Sequence, residues 1–238
     1  MKFSDAVERL LRGVEKPARY SGGEQNAVVK DPGSVLLRFC MCYPDLYEVG
    51  MSHLGSQILY ALINGREDAW CERCFAPWAD MEAALRKEGL PLFTLESRTP
   101  LGKMDVIGFT LQYEMSFTNI LNMLDLAGLP LRAADREGGD YPLIACGGPC
   151  ACNPEPLAPF VDLFMIGDGE EVMMEFLDAL KAGKEEGLDK PSLLYRLAQI
   201  EGIYVPRFYT PVYHEDGTFC RMEVAPGVPQ TVRRRIVK

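Results

Sequence analysis

The chain has 238 residues, 47% of them hydrophobic and 25% charged, with a formal net charge of −9. This length and apolar content suit one large folded domain, or a domain with an appendage, and exclude an intrinsically disordered chain. The acidic balance excludes a nucleic-acid surface as its main business. No apolar run reaches the roughly 18 residues of a membrane span, and Met1 to Val14 is a mixed-charge stretch without a signal-peptide core. A cytoplasmic protein with neither membrane nor nucleic-acid partners is expected.

In chain order, residues 1–33 read as an irregular entry. A short helix over Phe3 to Leu11 leads into ARYSGGEQNAVVKDPG, where Gly22, Gly23, Pro32 and Gly33 forbid regular structure. SVLLRFCMC is then a first buried strand, ended by YPDLYEVG, because Pro44 cannot continue a central strand. Leu54, Ile58, Leu59 and Leu62 recur at helical spacing up to Asn64-Gly65. WCERCFA is a second strand, MEAALRKEG a helix stopped at Gly89, and PLFTLES a short extended piece near the surface.

DVIGFTLQ is the next buried strand. A helix with Phe117, Ile120, Leu121 and Leu124 on one face follows, ended by Gly128-Leu129-Pro130. Beyond the polar loop RAADREGGDYP come two apolar runs, LIAC and VDLFMI, each ending in glycine: GGPC and GDGEE. A last long helix carries Val172, Met173, Phe176, Leu177 and Leu180 inward.

Strand and helix thus alternate five times. That predicts an α/β fold with a doubly wound, mainly parallel five-stranded sheet over residues 34–185. The strand order is flavodoxin-like, with the Rossmann order as the alternative. Residues 186–238 form an extension: the linker KEEGLDKPS, a short helix in SLLYRLAQ and a β-hairpin around Asp216-Gly217. VPQTVRRRIVK carries no stop signal, so a further domain is expected after it.

In an open parallel sheet, ligands sit outside the carboxyl ends of the strands. Those ends are Cys42 to His53, Thr110 to Ser116, Gly147 to Asn153 and Gly167 to Glu170. Gly147 and Gly148 either let a planar ligand lie on bare backbone or serve a turn that needs glycine dihedrals. Glu170 and Glu171 suit the positive end of a helix, Asp168 can cap that helix or hold a ligand hydroxyl, and His53 is the one histidine near the crevice. No Walker loop, GxSxG elbow or HExxH is present, and no catalytic residue is assigned.

Eight cysteines (Cys40, Cys42, Cys71, Cys74, Cys146, Cys150, Cys152 and Cys220) are many for such a chain. They read as free thiols, several buried in strands. The alternative is a metal or cluster carrier using Cys146, Cys150 and Cys152, with Cys40 and Cys42. No complete zinc or ferredoxin-type spacing occurs.

ARYSGGEQN, YPDLYEVGMSHLGSQILYALIN, CFAPWADME, LPLFTLESRTPL, DVIGFTLQYEMSFTNILNMLDLAG and GGPCACNPEPLAPFVDLFMIGDGEE together carry a resemblance. With these blocks the chain resembles the amino-terminal, cobalamin-binding-like region of an uncharacterised family of radical S-adenosylmethionine (radical SAM) proteins. The resemblance implies a Rossmann-like cobalamin domain followed by a barrel whose CxxxCxxC motif holds a [4Fe–4S] cluster and S-adenosylmethionine. No CxxxCxxC exists in these residues, so the radical chemistry would lie in a C-terminal partner domain of the same polypeptide. In cobalamin domains a DxHxxG segment supplies an axial histidine. Here it reads Asp45-Leu46-Tyr47-Glu48-Val49-Gly50, with Tyr47 in the histidine's place. The SxL element matches weakly as Thr110-Leu111-Gln112, and the paired glycines as Gly147 and Gly148. The cofactor-binding set implied is therefore Asp45, Tyr47, Gly50, His53, Thr110, Gly147, Gly148 and Gly167, binding cobalamin without histidine ligation. The rival expectation is an interaction module that binds no cofactor and docks on the barrel.

Overall fold

The computed structural model describes residues 3–237; Met1, Lys2 and Lys238 lie outside the described residues. Its strands are β1 Leu37–Tyr43, β2 Ala69–Phe75, β3 Val106–Thr110, β4 Leu143–Gly147, β5 Leu163–Met165, β6 Ile203–Tyr204, β7 Tyr209–Tyr213 and β8 Phe219–Val224. The helices are α1 Phe3–Leu11, the single turn α2 Tyr47–Gly50, α3 Leu54–Asn64, α4 Ala79–Glu88, α5 Phe117–Leu126, α6 Gly169–Glu185 and α7 Lys190–Leu197.

The main sheet runs β2-β1-β3-β4-β5-β6. Its first five strands are parallel and β6 is antiparallel. The first five follow the flavodoxin-like order. The strand count is six rather than the five expected. The sixth has two residues, pairing Phe164 with Tyr204 and Met165 with Ile203, too few to leave a period-two signal. β7 and β8 form the expected hairpin, turned at Gly217 with φ of 82°.

β1 lies between β2 and β3, and every residue of it except Arg38 is buried, as a strand covered on both faces requires. α3 packs with α6 over one face, and α4 packs with α1 and α5 over the other. α3 forms where its periodicity predicts, yet only Tyr60 and Ile63 are fully buried. Leu54, Ile58 and Leu62 stay exposed along it.

PLFTLES lies inside the molecule, not near its surface: Leu92, Phe93, Thr94 and Leu95 are all buried. The reason is Glu72, a fully buried carboxylate on β2. It accepts from Thr94 Oγ1 at 2.8 Å and from the Ser97 amide at 3.0 Å, and it pairs with Arg38. A buried charge must be paired and hydrogen-bonded, so the segment folds inward to supply the donors. The Arg38 guanidinium also lies 5.1 Å from the Trp70 ring.

The end of the chain returns to the sheet. The Arg235 amide donates to the Ile166 carbonyl at 2.9 Å, and the Asp168 amide donates to the Arg235 carbonyl at 3.0 Å. This parallel bridge between Gly167 and Arg235 lays the segment beside β5 at its carboxyl end. The Arg235 side chain meets Glu171 and Glu175 of α6.

Candidate functional site

Side chains alternate across a strand, so Phe39, Met41, Gly108, Thr110, Ala145, Gly147 and Met165 share the face beneath α3 and α6. Between that face and the two helices lies a cavity of about 300 Å³, half open to solvent. Such a volume is at the lower end of the roughly 300–1,000 Å³ of small-molecule sites. Enclosed and dry, a void that size would cost about 7 kcal/mol, comparable with the whole stability of a domain.

Glycines keep it open. A Cβ on Gly108 would strike the tip of the Phe39 ring. A Cβ on Gly147 would meet only the Met165 carbonyl and Cβ, at 3.6 and 3.7 Å. Gly147 therefore offers bare backbone that no internal contact demands. The walls are apolar (Phe39, Met41, Ile58, Leu59, Met165 and Met173), with Thr110, Gln112, His53, Ser56 and Glu170 as the polar groups.

Of the eight residues proposed from sequence, His53, Thr110, Gly147, Gly148 and Gly167 line this cavity. Asp45, Tyr47 and Gly50 do not. α2 turns their loop away, toward Phe75: the Tyr47 ring stands edge-on to Phe75 at 5.3 Å, and its hydroxyl donates to Glu24 at 3.2 Å. Gly50 is glycine because a Cβ would collide with Phe75. Asp45 accepts from the Tyr113 hydroxyl at 2.7 Å.

Two of the lining glycines have internal duties. Gly148 has φ of 107° and would press a Cβ to within 2.9 Å of the Leu111 carbonyl. Gly167 has φ of 115° and is crossed by the Arg235 backbone. Asp168 precedes α6 without a side-chain cap bond; its carboxylate instead accepts from the Val237 amide at 3.0 Å.

His53 sits at the start of α3, where its Nδ1 accepts the Ser56 amide at 3.1 Å. The neutral ring then carries its proton on Nε2 and presents a donor, not a lone pair, on the other side. Thr110 Oγ1 accepts from Gln112 Nε2 at 2.6 Å, which leaves the hydroxyl proton to point elsewhere. The site thus offers apolar walls, bare backbone at Gly147 and the polar side chains of Thr110 and His53, a lining that fits a flat aromatic group with polar substituents. It offers no axial metal ligand from the Tyr47 position.

The cysteines do not converge on it. Cys40, Cys42, Cys71, Cys74 and Cys146 are buried, and burial pushes the Cys40 and Cys42 thiols, whose sulfurs are 3.6 Å apart, well up. Cys146 sits in β4 between Phe109 and Phe164 of the adjoining strands. Among the described residues, no three or more His, Cys, Asp or Glu side chains form a group able to hold a metal ion. The cavity walls were not legible as such, because strand and helix apolar residues read as core. Gly108 inside a buried run was the available signal.

The fold and cavity define a doubly wound α/β domain with a crevice at the carboxyl edge of its sheet. Residues 55–206 match the family described as radical SAM proteins, N-terminal, and the chain belongs to that family. Among solved structures it is similar to the radical S-adenosylmethionine methyltransferase TsrM from Kitasatospora setae, determined with its tryptophan substrate and a SAM analogue. The identity is 16% and the TM-score 0.41, over 83% of this chain and 34% of that one. This chain therefore spans about a third of that relative's length. No curated protein matches it.

Proposed function

We propose that this chain is the accessory α/β domain of a radical SAM protein, and that its cavity takes the flat aromatic end of a cobalamin-type cofactor. The observation that supports this reading is the half-open cavity over bare backbone at Gly147. Met41, Met165 and Met173 would exclude water from the ring, Thr110 would donate its hydroxyl proton to a ring nitrogen, and His53 Nε2–H would donate to a peripheral amide or phosphate. When bound, the cofactor would supply cobalt-centred chemistry at the edge of the sheet, without a ligand from Tyr47. The [4Fe–4S] cluster and S-adenosylmethionine would belong to a C-terminal domain of the same polypeptide, since no CxxxCxxC occurs here. Titration with hydroxocobalamin tests the reading. A shifted absorption spectrum and co-elution are expected, and an unchanged spectrum with no co-elution would remove the cofactor.

A second reading, docking on the radical SAM domain, is favoured by the exposed row Leu54, Ile58 and Leu62 on α3 and by Met115, 84% exposed in the turn that precedes α5. Hydrogen exchange distinguishes it: docking predicts added protection of α3 and residues 111–116 in the longer polypeptide, and equal protection with and without that domain excludes it.

A further inference from the structure

We propose that Thr110 and Gln112 make the cavity selective for a flat base that carries an amino group beside a bare ring nitrogen, the edge that adenine presents. The inference rests on the reading of the cavity as the seat of an aromatic ring, and it names the chemical class of that ring.

The two residues flank Leu111, where the chain leaves β3. Leu111 is fully buried, and the end of β4 and the turn after it hold its backbone on both sides. Its amide donates to the Gly147 carbonyl at 2.6 Å, and its carbonyl accepts from the Cys150 amide at 3.1 Å. With Leu111 fixed in this way, Thr110 and Gln112 both line the cavity, as side chains two apart along extended backbone share a face. Their side chains meet: Gln112 Nε2 donates to Thr110 Oγ1 at 2.6 Å.

That one bond sets what each group can still do. Thr110 Oγ1 has accepted, so its hydroxyl proton is free for an acceptor. Gln112 has used a donor, and its side-chain carbonyl, which accepts no bond among the described residues, is left as an acceptor. The pair is therefore a donor beside an acceptor. Glu170, also in the lining, is a carboxylate that only accepts, and it favours a ligand with N–H groups.

Adenine matches this pair. A ring nitrogen takes the Thr110 proton, and the adjacent exocyclic amine donates to the Gln112 carbonyl. A benzimidazole has the ring nitrogen but no N–H beside it, so it would cover the Gln112 carbonyl without a donor. A polar group left unpaired by one ligand and satisfied by another is a source of strong discrimination. Hypoxanthine has the outline of adenine with a carbonyl in place of the amine and a ring N–H in place of the bare nitrogen. It sets acceptor against acceptor and donor against donor. The adenine edge has two sources, the lower base of a corrinoid and a free adenine nucleoside.

Equilibrium dialysis of the full chain against four probes tests the inference: hydroxocobalamin, the corrinoid with adenine as its lower base, adenosine and inosine. The adenine corrinoid should bind at least about tenfold more tightly than hydroxocobalamin, and adenosine at least about tenfold more tightly than inosine. Gln112→Leu removes the acceptor and should bring both ratios to within about threefold of one. A merely structural effect of that variant would weaken all four probes and leave the ratios as they were. Wild-type ratios near one, or ratios that survive Gln112→Leu, would overturn the inference, and equal binding of the two corrinoids would do so while the cofactor reading stands. Adenosine preferred to inosine with neither corrinoid bound would keep the adenine edge and remove the corrinoid. No probe bound would remove both.

Discussion

Arg235 crosses the backbone of Gly167 so closely that a Cβ there would collide with the Arg235 carbonyl. Gly167 was expected to serve a cofactor, and its lack of a side chain is required by the Arg235 backbone that crosses it. Gly167→Ala adds left-handed strain to that collision, and a loss of about 2–4 kcal/mol is expected. The released segment should be cut faster by trypsin at Arg233, Arg234 and Arg235, which a digestion time course with mass detection measures.

The paired glycines should separate. Gly148→Ala meets positive φ and the Leu111 carbonyl, so a loss of at least about 2 kcal/mol is expected. Gly147→Ala has ordinary contact distances and should stay within about 1 kcal/mol of wild type. Urea denaturation of the two variants checks the contrast.

Glu72 is the charge around which residues 92–99 are folded. Glu72→Ala removes the carboxylate that pairs the half-buried Arg38 and accepts from Thr94 and Ser97, and a loss of about 3–5 kcal/mol is expected. Thr94→Val removes one donor from a carboxylate that keeps others and should cost about 1–2 kcal/mol. Thermal or denaturant unfolding measures both.

Asp68 sits before β2, where Arg66 and then Lys181 hold its carboxyl well below the usual range. Its folded-state pKa is thus lower than the unfolded value of about 3.9. The stabilisation is complete above that pH and disappears as the pH falls below it. Asp68→Asn should therefore be less stable than wild type at neutral pH, with the difference shrinking under acid. Urea midpoints from about pH 7 down to about pH 3 follow it.

Much of this was legible in the sequence for physical reasons. β1 to β5 announce themselves as apolar runs broken by glycine and proline, and their helices by a three-to-four period. β6, with two residues, has no period to read. The DxHxxG-like segment lies outside the cavity, because a match of letters does not say which way a loop turns, and Tyr47 and Gly50 are held against Phe75. Thr110, His53 and Gly147, read from their places at strand ends, line the cavity. Met41, Met165 and Met173 line it too but were not legible as its wall, since a cavity wall and a packed core use the same side chains.

Gly147 is where the binding account is most exposed, because a side chain there fills the cavity without straining the backbone. Equilibrium dialysis of the wild-type chain and Gly147→Leu against hydroxocobalamin measures this directly. The account predicts about one equivalent bound by the wild type, and at least about tenfold weaker binding, about 1.4 kcal/mol, by a variant that remains folded. Equal binding by both proteins, or none by the wild type, would contradict it.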